Sequence, residues 1–337
     1  MKAIQFQPGL SLENTDVARE VDLPKPEPTG RDILVEIEAI GLNPVDTKVR
    51  PGEGTEPKVL GFDAAGTVVA AGDATEMLKV GDKVYYAGSV ARPGTNSQFH
   101  LVDERIAAVR PSSLDSASAA AIPLTALTAW ESLFDRLGID PDGGNVGKSL
   151  LIIGGAGGVG SIGIQLAKLA GLTVIATASR EESKQWCLDL GADFVVNHGE
   201  ELPPQMENIG FKTVDFIANF NNTDAYWDAM GQLIAPQGGV VLIVEPSGSL
   251  DIGGPFKLKS ARICWELMFT RAVFETTDIE EQHRILERVA SLIDEGKLRS
   301  TAKTKLSPIN VGNVLAAHGQ LESGRSIGKI VIVGWSE

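Results

Sequence analysis

Residues 152 to 165 read "IIGGAGGVGSIGIQ", and within them Gly155, Gly157 and Gly160 fall on the spacing GxGxxG. Glycines so spaced serve one chemistry well. The first permits a tight turn, the second lets the backbone approach a pyrophosphate, and the third lets the following helix pack on the preceding strand. The helix N-terminus then presents N–H groups and the positive end of its dipole to phosphate. Such a motif counts only in context. Here Leu150 to Ile153 is a short apolar strand and "VGSIGIQLAKLAG" continues as a helix ending near Gly171. Strand, glycine turn and helix predict a dinucleotide site at Gly155, Gly157, Gly158, Val159 and Gly160, with Gly158 and Gly163 adding close approach. A βα turn without ligand is the plain alternative.

The end of the second strand bears on which dinucleotide. An NAD site offers an acid to the ribose hydroxyls about 20 residues beyond the loop. In "IATASREESK" Ala178 and Ser179 stand at that place and Arg180 follows. Ser179 with Glu182 three residues later forms a capping-box pattern, which predicts a well-capped helix. Arg180 would then occupy the first helical position, where the dipole disfavours a cation by roughly 0.3–1 kcal/mol. A cation kept there points to a bound anion. Ser179, Arg180 and Lys184 are read as receiving a 2′-phosphate, which selects NADPH over NADH.

These residues need a scaffold, and the chain supplies one in two parts. At 337 residues it exceeds the size at which one core stops growing, so two domains are expected. Residues 1 to about 115 carry short alternating apolar runs, "ILVEIEAIGL", "GTVVAAG" and "DKVYYAG", punctuated by Gly and Pro, as in a twisted, largely antiparallel β unit. From "DSASAAAIPLTALTAWESLFDRLG" onward helices alternate with nearly continuous apolar strands, "SLLIIG", "LTVIATA", "ADFVVN", "TVDFIANF" and "GGVVLIV", the pattern of buried parallel strands with crossover helices. Pro123 would break or restart a helix and marks the junction. "DIEEQHRILERVASLIDEGKL" is an amphipathic helix with Ile285, Leu286, Val289 and Leu292 on its apolar face, and "GKIVIVGW" is a closing strand.

The composition excludes several classes. Hydrophobic residues are 43% and charged residues 22%, ordinary for a globular protein, and no apolar run approaches the roughly 20 residues that span a bilayer. The opening "MKAIQFQPGLSLENTD" lacks the apolar stretch of a signal peptide, so a cytoplasmic protein is expected. A net charge of −14 argues against nucleic acid or an acidic membrane surface as partner. Cys187 and Cys264 lie far apart, giving neither a disulfide framework nor a zinc-knuckle spacing. His100, His198, His283 and His318 are scattered and are read as surface or satisfied residues.

With these residues on view, the sequence resembles the medium-chain dehydrogenase/reductase superfamily over nearly its whole length. The resemblance rests on "GLNPVDTKVR" (41 to 50), "LGFDAAGTVV" (60 to 69), "VGDKVY" (80 to 85), "AAIPLTALTAWESL" (120 to 133), the "GGAGGVG" loop, "LGADFVVN" (190 to 197) and "GKIVIVG". It implies an α/β protein: a GroES-like β domain over 1–123 and 272–337, and a Rossmann domain, a doubly wound parallel sheet, over 124–271. Zinc alcohol dehydrogenases of the superfamily carry a cysteine in the first motif and a His-Glu pair in the second. Here Asn43, Phe62 and Asp63 hold those places, and the four cysteines of the structural zinc lobe are absent. No catalytic metal is expected.

The zinc-independent, quinone oxidoreductase-like branch, whose bacterial members are often labelled zinc-type alcohol dehydrogenase-like, is the nearest match. The resemblance implies an NADPH-dependent reductase that passes hydride to a quinone or an α,β-unsaturated carbonyl, acceptors needing no Lewis acid. Asn43, with Asp46 and Thr47 behind it, is the expected catalytic group, orienting ribose or substrate; "NPVD" as a mere Asx-type turn is the alternative. Thr128 matches a nicotinamide-contacting position or is a helix-interior threonine. Lys329 matches a cofactor-contacting position or is a solvated lysine. Val244, closing "GGVVLIV", is taken as cofactor-binding. The tyrosine proton donor of enoyl-thioester reductases is missing from "TKVRPGEGTEPK", which disfavours a fatty-acyl thioester substrate. "ARICWELMFTR" is read as the sixth Rossmann strand and its sequel, with core roles for Trp265 and Phe269 and an acceptor-pocket or subunit-interface role as the alternative for each, and that strand commonly pairs in homodimers of the family. Alternatives are an alkenal or other activated double-bond reductase, an idle NADPH-binding sensory or structural protein, and lastly a zinc alcohol dehydrogenase.

Overall fold

The computed structural model describes residues 1–52 and 54–335. The chain divides into two compact units, one of Met1–Leu127 with Phe269–Glu337 and one of Thr128–Met268.

In the second unit six parallel strands form one sheet in the spatial order Phe194–Val196, Thr173–Thr177, Ser149–Ile153, Val214–Asn219, Ile234–Leu242, Arg262–Trp265. The order reverses between the Thr173–Thr177 strand and the Val214–Asn219 strand, with Ser149–Ile153 at the switch. Every residue of Ser149–Ile153 is buried, which is why the strand reads as an unbroken apolar run: helices cover both faces of a parallel sheet. Its core is built by Leu151, Ile153, Ile175, Ile217, Val240 and Leu242, with Trp227 and Phe256 packed ring to ring at 4.5 Å.

The sixth strand, Arg262–Trp265, lies at the sheet's edge, and Trp265 is 49% exposed. The core role expected for Trp265 is therefore corrected. An edge strand has a neighbour on one side only, and this one is exposed at both ends and half-buried between them. Phe269 does take the core role, buried edge-on against Phe62 at 5.1 Å in the first unit.

The first unit holds a seven-stranded and a three-stranded sheet, and its pairings among residues 1 to 109 are antiparallel. Lys329–Val333 pairs antiparallel with the long Asp32–Leu42 strand, which in turn pairs with Asp63–Ala71. The register sets Ile330 beside Leu42 and Gly41 beside Asp63, so the ends of three strands meet at one place. An alanine Cβ at Gly41 would come 2.2 Å from the Ala120 carbonyl oxygen, so glycine is what lets the Ser116–Ala120 helix close over that place. The Glu281–Asp294 helix buries Ile285, Leu286, Val289 and Leu292, the face its spacing predicted. Pro123 restarts a helix, Pro123–Trp130, at a first-turn position that needs no N–H donor.

Both cysteines are free. His100 lies between the Tyr86 hydroxyl (3.0 Å) and the Pro93 carbonyl (2.9 Å), His283 faces the Ala107 carbonyl (2.6 Å), and His318 stacks on Phe6 at 5.2 Å.

Candidate functional site

The glycine loop joins Ser149–Ile153 to the Gly158–Leu169 helix, with Gly157 as N-cap. Gly154 turns the chain at φ +86°. The Gly154 N–H donates to Thr177 Oγ1 (3.0 Å) and the Gly155 N–H to the Thr177 carbonyl (3.2 Å), tying the turn to the neighbouring strand. The three motif glycines meet different surroundings. A Cβ on Gly160 would lie 2.3 Å from the Gly154 oxygen, and one on Gly155 2.8 Å from the Ala176 Cβ, so both are packing glycines. A Cβ on Gly157 would touch only the Gly154 oxygen, at 3.4 Å. The backbone is thus bare at Gly157, just where the helix starts. The N–H groups of Gly158, Val159 and Gly160 precede the first i−4 carbonyl of that helix and point out of its end. Gly163 is also close-packed: a Cβ there would meet the Phe220 ring at 3.2 Å.

At the end of the Thr173–Thr177 strand, Ser179 and Arg180 are exposed and Lys184 is half-buried. The helix begins one residue later than expected, at Glu181, with Arg180 as its N-cap. The expected Ser179–Glu182 capping box gives way to Ser183, whose hydroxyl accepts the Arg180 N–H (3.1 Å) and donates to the Arg180 carbonyl (2.8 Å). Arg180 therefore precedes the first turn, which Glu181 and Glu182 occupy with the charge its dipole favours. What is corrected is the helix start and its cap; Arg180, now the N-cap, still stands exposed at the positive end of that helix, beside the loop strand. His198, treated in the sequence as an ordinary histidine, stands near Arg180. Burial, opposed by a bond to the Thr177 carbonyl, lowers its pKa, and its Nδ1 is buried without a partner among the described residues. Val244 is half-buried, and its carbonyl accepts the Thr223 hydroxyl at 2.5 Å. Thr128 is 5% exposed within the Pro123–Trp130 helix.

In the first unit, Asn43, Asp46, Asp63 and Lys329 form one buried cluster where the three strand ends meet. Asn43 is the N-cap of the short Pro44–Val49 helix, its carbonyl accepting the Asp46 N–H (3.0 Å), while its amide is turned toward Asp63 and Lys329. Asn43 Nδ2 donates to Asp63 Oδ2 (2.8 Å) and its Oδ1 accepts from Lys329 Nζ (2.5 Å). Asp63 Oδ2 also accepts from Lys329 (2.9 Å), while Oδ1 accepts the Leu124 N–H (2.8 Å). Asp46 Oδ2 accepts the Asn43 N–H at 2.6 Å, and its Oδ1 has no partner among the described residues. Burial raises the Asp46 pKa to about 7, against the lowering effect of the Asn43 N–H and of Lys329. Thr47 donates its hydroxyl hydrogen to the Pro44 carbonyl (2.9 Å) and is half-exposed.

Lys329 is accordingly neither solvated nor aimed outward. It is 3% exposed, and its three hydrogens go to the Leu42 carbonyl (2.8 Å), Asn43 and Asp63. Asp63 is the member that sequence reasoning passed over, noting it only as a replacement for a metal ligand. A carboxylate inside the apolar run from Leu60 to Ala65 and a lysine heading an apolar strand were the signal, since a buried charge needs a partner.

Zinc does not fit this set. It needs about four N or S ligands, or three and a water. Asn43 and Asp63 are spent on each other and on Lys329, Phe62 is apolar, and no group of three His, Cys, Asp or Glu among the described residues could hold a metal ion.

Comparison with known proteins bears on both units. Residues 29–109 match the family described as the alcohol dehydrogenase GroES-like domain, and residues 190–332 the one described as a zinc-binding dehydrogenase. A zinc-type alcohol dehydrogenase-like protein of Staphylococcus aureus is 42% identical over 334 residues, covering 98% of this chain and 99% of its own. A 2-methylene-furan-3-one reductase of Solanum lycopersicum is 31% identical over 89% of this chain and 71% of its own. The crystal structure of Escherichia coli quinone oxidoreductase complexed with NADPH matches with a TM-score of 0.85 at 28% identity, over 99% of each chain. No helix among the described residues is long and apolar enough to cross a membrane.

Proposed function

Because the chain belongs to the medium-chain dehydrogenase/reductase superfamily, in its quinone oxidoreductase-like branch, and is an oxidoreductase of that superfamily, we propose that it uses NADPH to reduce a quinone or an α,β-unsaturated carbonyl without a metal. The carrying observation is the loop at Gly157, bare of side chain at a helix N-terminus and flanked by two packing glycines. The NADPH-bound bacterial relative and the plant furanone reductase support the cofactor and the acceptor class.

Bound NADPH supplies a hydride, two electrons with one hydrogen, and leaves the acceptor needing a proton. The chain's own parts then divide the remaining work. Gly155, Gly157, Gly158, Val159 and Gly160 hold the pyrophosphate by backbone N–H groups. Ser179, Arg180 and Lys184 meet the 2′-phosphate, and Thr128 and Val244 border the nicotinamide. Asn43, Asp46 and Thr47 serve the acceptor side. Lys329 acts by holding Asn43 and Asp63 rather than by reaching the cofactor. The protein is proposed to act in the cytoplasm as a homodimer.

One observation favours a second reading. The Asn43 amide is 1% exposed; its Nδ2 donates to Asp63 (2.8 Å) and to the Gly41 carbonyl (3.4 Å) while its oxygen accepts from Lys329, which leaves it no donor for an acceptor's oxygen in this arrangement. An NADPH-binding protein without turnover would look the same. Titration of the purified chain with NADPH and NADH, followed by turnover with a small quinone and an enone, separates the two. Tight NADPH binding with turnover is the expected result. Binding without turnover across a broad acceptor panel selects the second reading, and no binding of either nucleotide ends both.

A further inference from the structure

The names of this family carry zinc, the donor set here does not fit it, and the charge buried among these residues is an ammonium group. Lys329 Nζ has three hydrogens and three acceptors, the Leu42 carbonyl at 2.8 Å, Asn43 Oδ1 at 2.5 Å and Asp63 Oδ2 at 2.9 Å. All three are oxygen ligands, and they come from the end of Asp32–Leu42, which pairs with the lysine's own strand, and from the start of Asp63–Ala71, which pairs with Asp32–Leu42 in turn. The amide of Asn43 is oriented by this charge. Turned over, its NH₂ would face the ammonium and its oxygen the Asp63 carboxylate, two repulsions in place of two bonds. The carboxylate would also be left buried without a counter-ion if the lysine were shortened, the costly half of a buried ion pair.

We propose that Lys329 is a positioning residue, a cation carried by the chain itself, which orients Asn43 and Asp63 by charge as a bound metal ion orients its ligands, and that the space left on shortening it binds a small alkylammonium ion. A metal ion would need further anionic or nitrogen ligands, whereas an ammonium group is satisfied by three oxygens and one carboxylate charge. Arginine is a poor replacement, because a planar five-donor fork does not match three oxygens closing on one point.

The test uses Lys329→Ala and Lys329→Met with n-propylammonium chloride, against sodium chloride at equal ionic strength and n-propanol as the uncharged match. Lys329→Ala is expected to melt roughly 10 °C below the parent, from the loss of a buried pair's cation. Propylammonium is expected to restore part of that loss saturably, while sodium chloride and propanol do not. Lys329→Met, which fills the space without charge, is expected to melt low and to ignore propylammonium.

A wild-type measurement stands beside these in case neither variant folds. Under reductive methylation of the native protein, Lys329 is expected to stay unmodified while exposed lysines such as Lys305 react. Rescue by salt or propanol as good as by propylammonium, wild-type melting of Lys329→Met, or methylation of Lys329 at the exposed rate each overturns the proposal. These thermal and chemical readouts do not depend on the reductase reading. Two further ones do, as the positioning role rests on it. In Lys329→Ala the dissociation constant for NADPH should stay within about twofold while kcat falls and returns with propylammonium. A dissociation constant raised tenfold would place Lys329 on the cofactor and overturn the positioning role.

Discussion

A carboxylic acid buried against one hydrogen-bond donor has two ways to be comfortable, and Asp46 has taken the neutral one. With its pKa raised from the ordinary 3.8 to about 7, the folded protein holds a proton there that the unfolded chain has already lost above pH 4. Folded-state protonation stabilises, so its contribution is fully present below about pH 4 and is lost as pH rises toward 7. Every tenfold gain in proton affinity on folding is worth about 1.4 kcal/mol, so a few kcal/mol are at stake across that window. Asp46→Asn should remove this component: measured by chemical denaturation, the variant gains stability relative to the parent between pH 4.5 and 8, and parallel curves would place the titration elsewhere. The other residue-scale expectation concerns Arg180. Its replacement by alanine should weaken NADPH by about tenfold and leave NADH nearly unchanged, since a charge-assisted bond to phosphate contributes about 1.5–3 kcal/mol. Equal weakening of both nucleotides by fluorescence titration would assign Arg180 to packing instead.

At the scale of elements, the strand, loop and helix around Gly155 to Gly160 were legible because local rules fix them. An apolar run, three glycines and an amphipathic run occupy adjacent stretches and need no distant partner. The helix after Ser179 was misplaced by one residue because two hydroxyls competed for the same cap, and Ser183 won by bonding both backbone groups of Arg180. The buried cluster was legible only in part. Asn43 and Lys329 were each noticed, yet 286 residues separate them, and no local pattern states that strand register will bring them together. The loop yields its own expectation. Gly160→Ala puts a methyl group 2.3 Å from the Gly154 oxygen and should cost several kcal/mol or the loop's shape, abolishing nucleotide binding. Gly157→Ala meets one contact at 3.4 Å and should leave thermal stability nearly intact while weakening the nucleotide. If the two variants lose stability equally, the division into packing and ligand-facing glycines fails.

For the molecule as a whole, the first unit is discontinuous, made from the beginning and the end of the chain with the second unit's sequence between. Its last strand brings Lys329 to Asp63 across 266 residues. A chain ending at Gly328 should therefore leave the first unit open to limited proteolysis, and protection equal to the full chain would show that the last strand and its lysine are dispensable. A ribosome delivers a polypeptide from its N-terminal side onward, at about 5–20 residues per second. Asn43 and Asp63 are thus made long before the group that neutralises them, and the β sheet they belong to has to wait, carboxylate uncompensated, for tens of seconds. Translation order makes the lysine the last member of the cluster to arrive: until it is made, the Asp63 carboxylate has no cation to fold around.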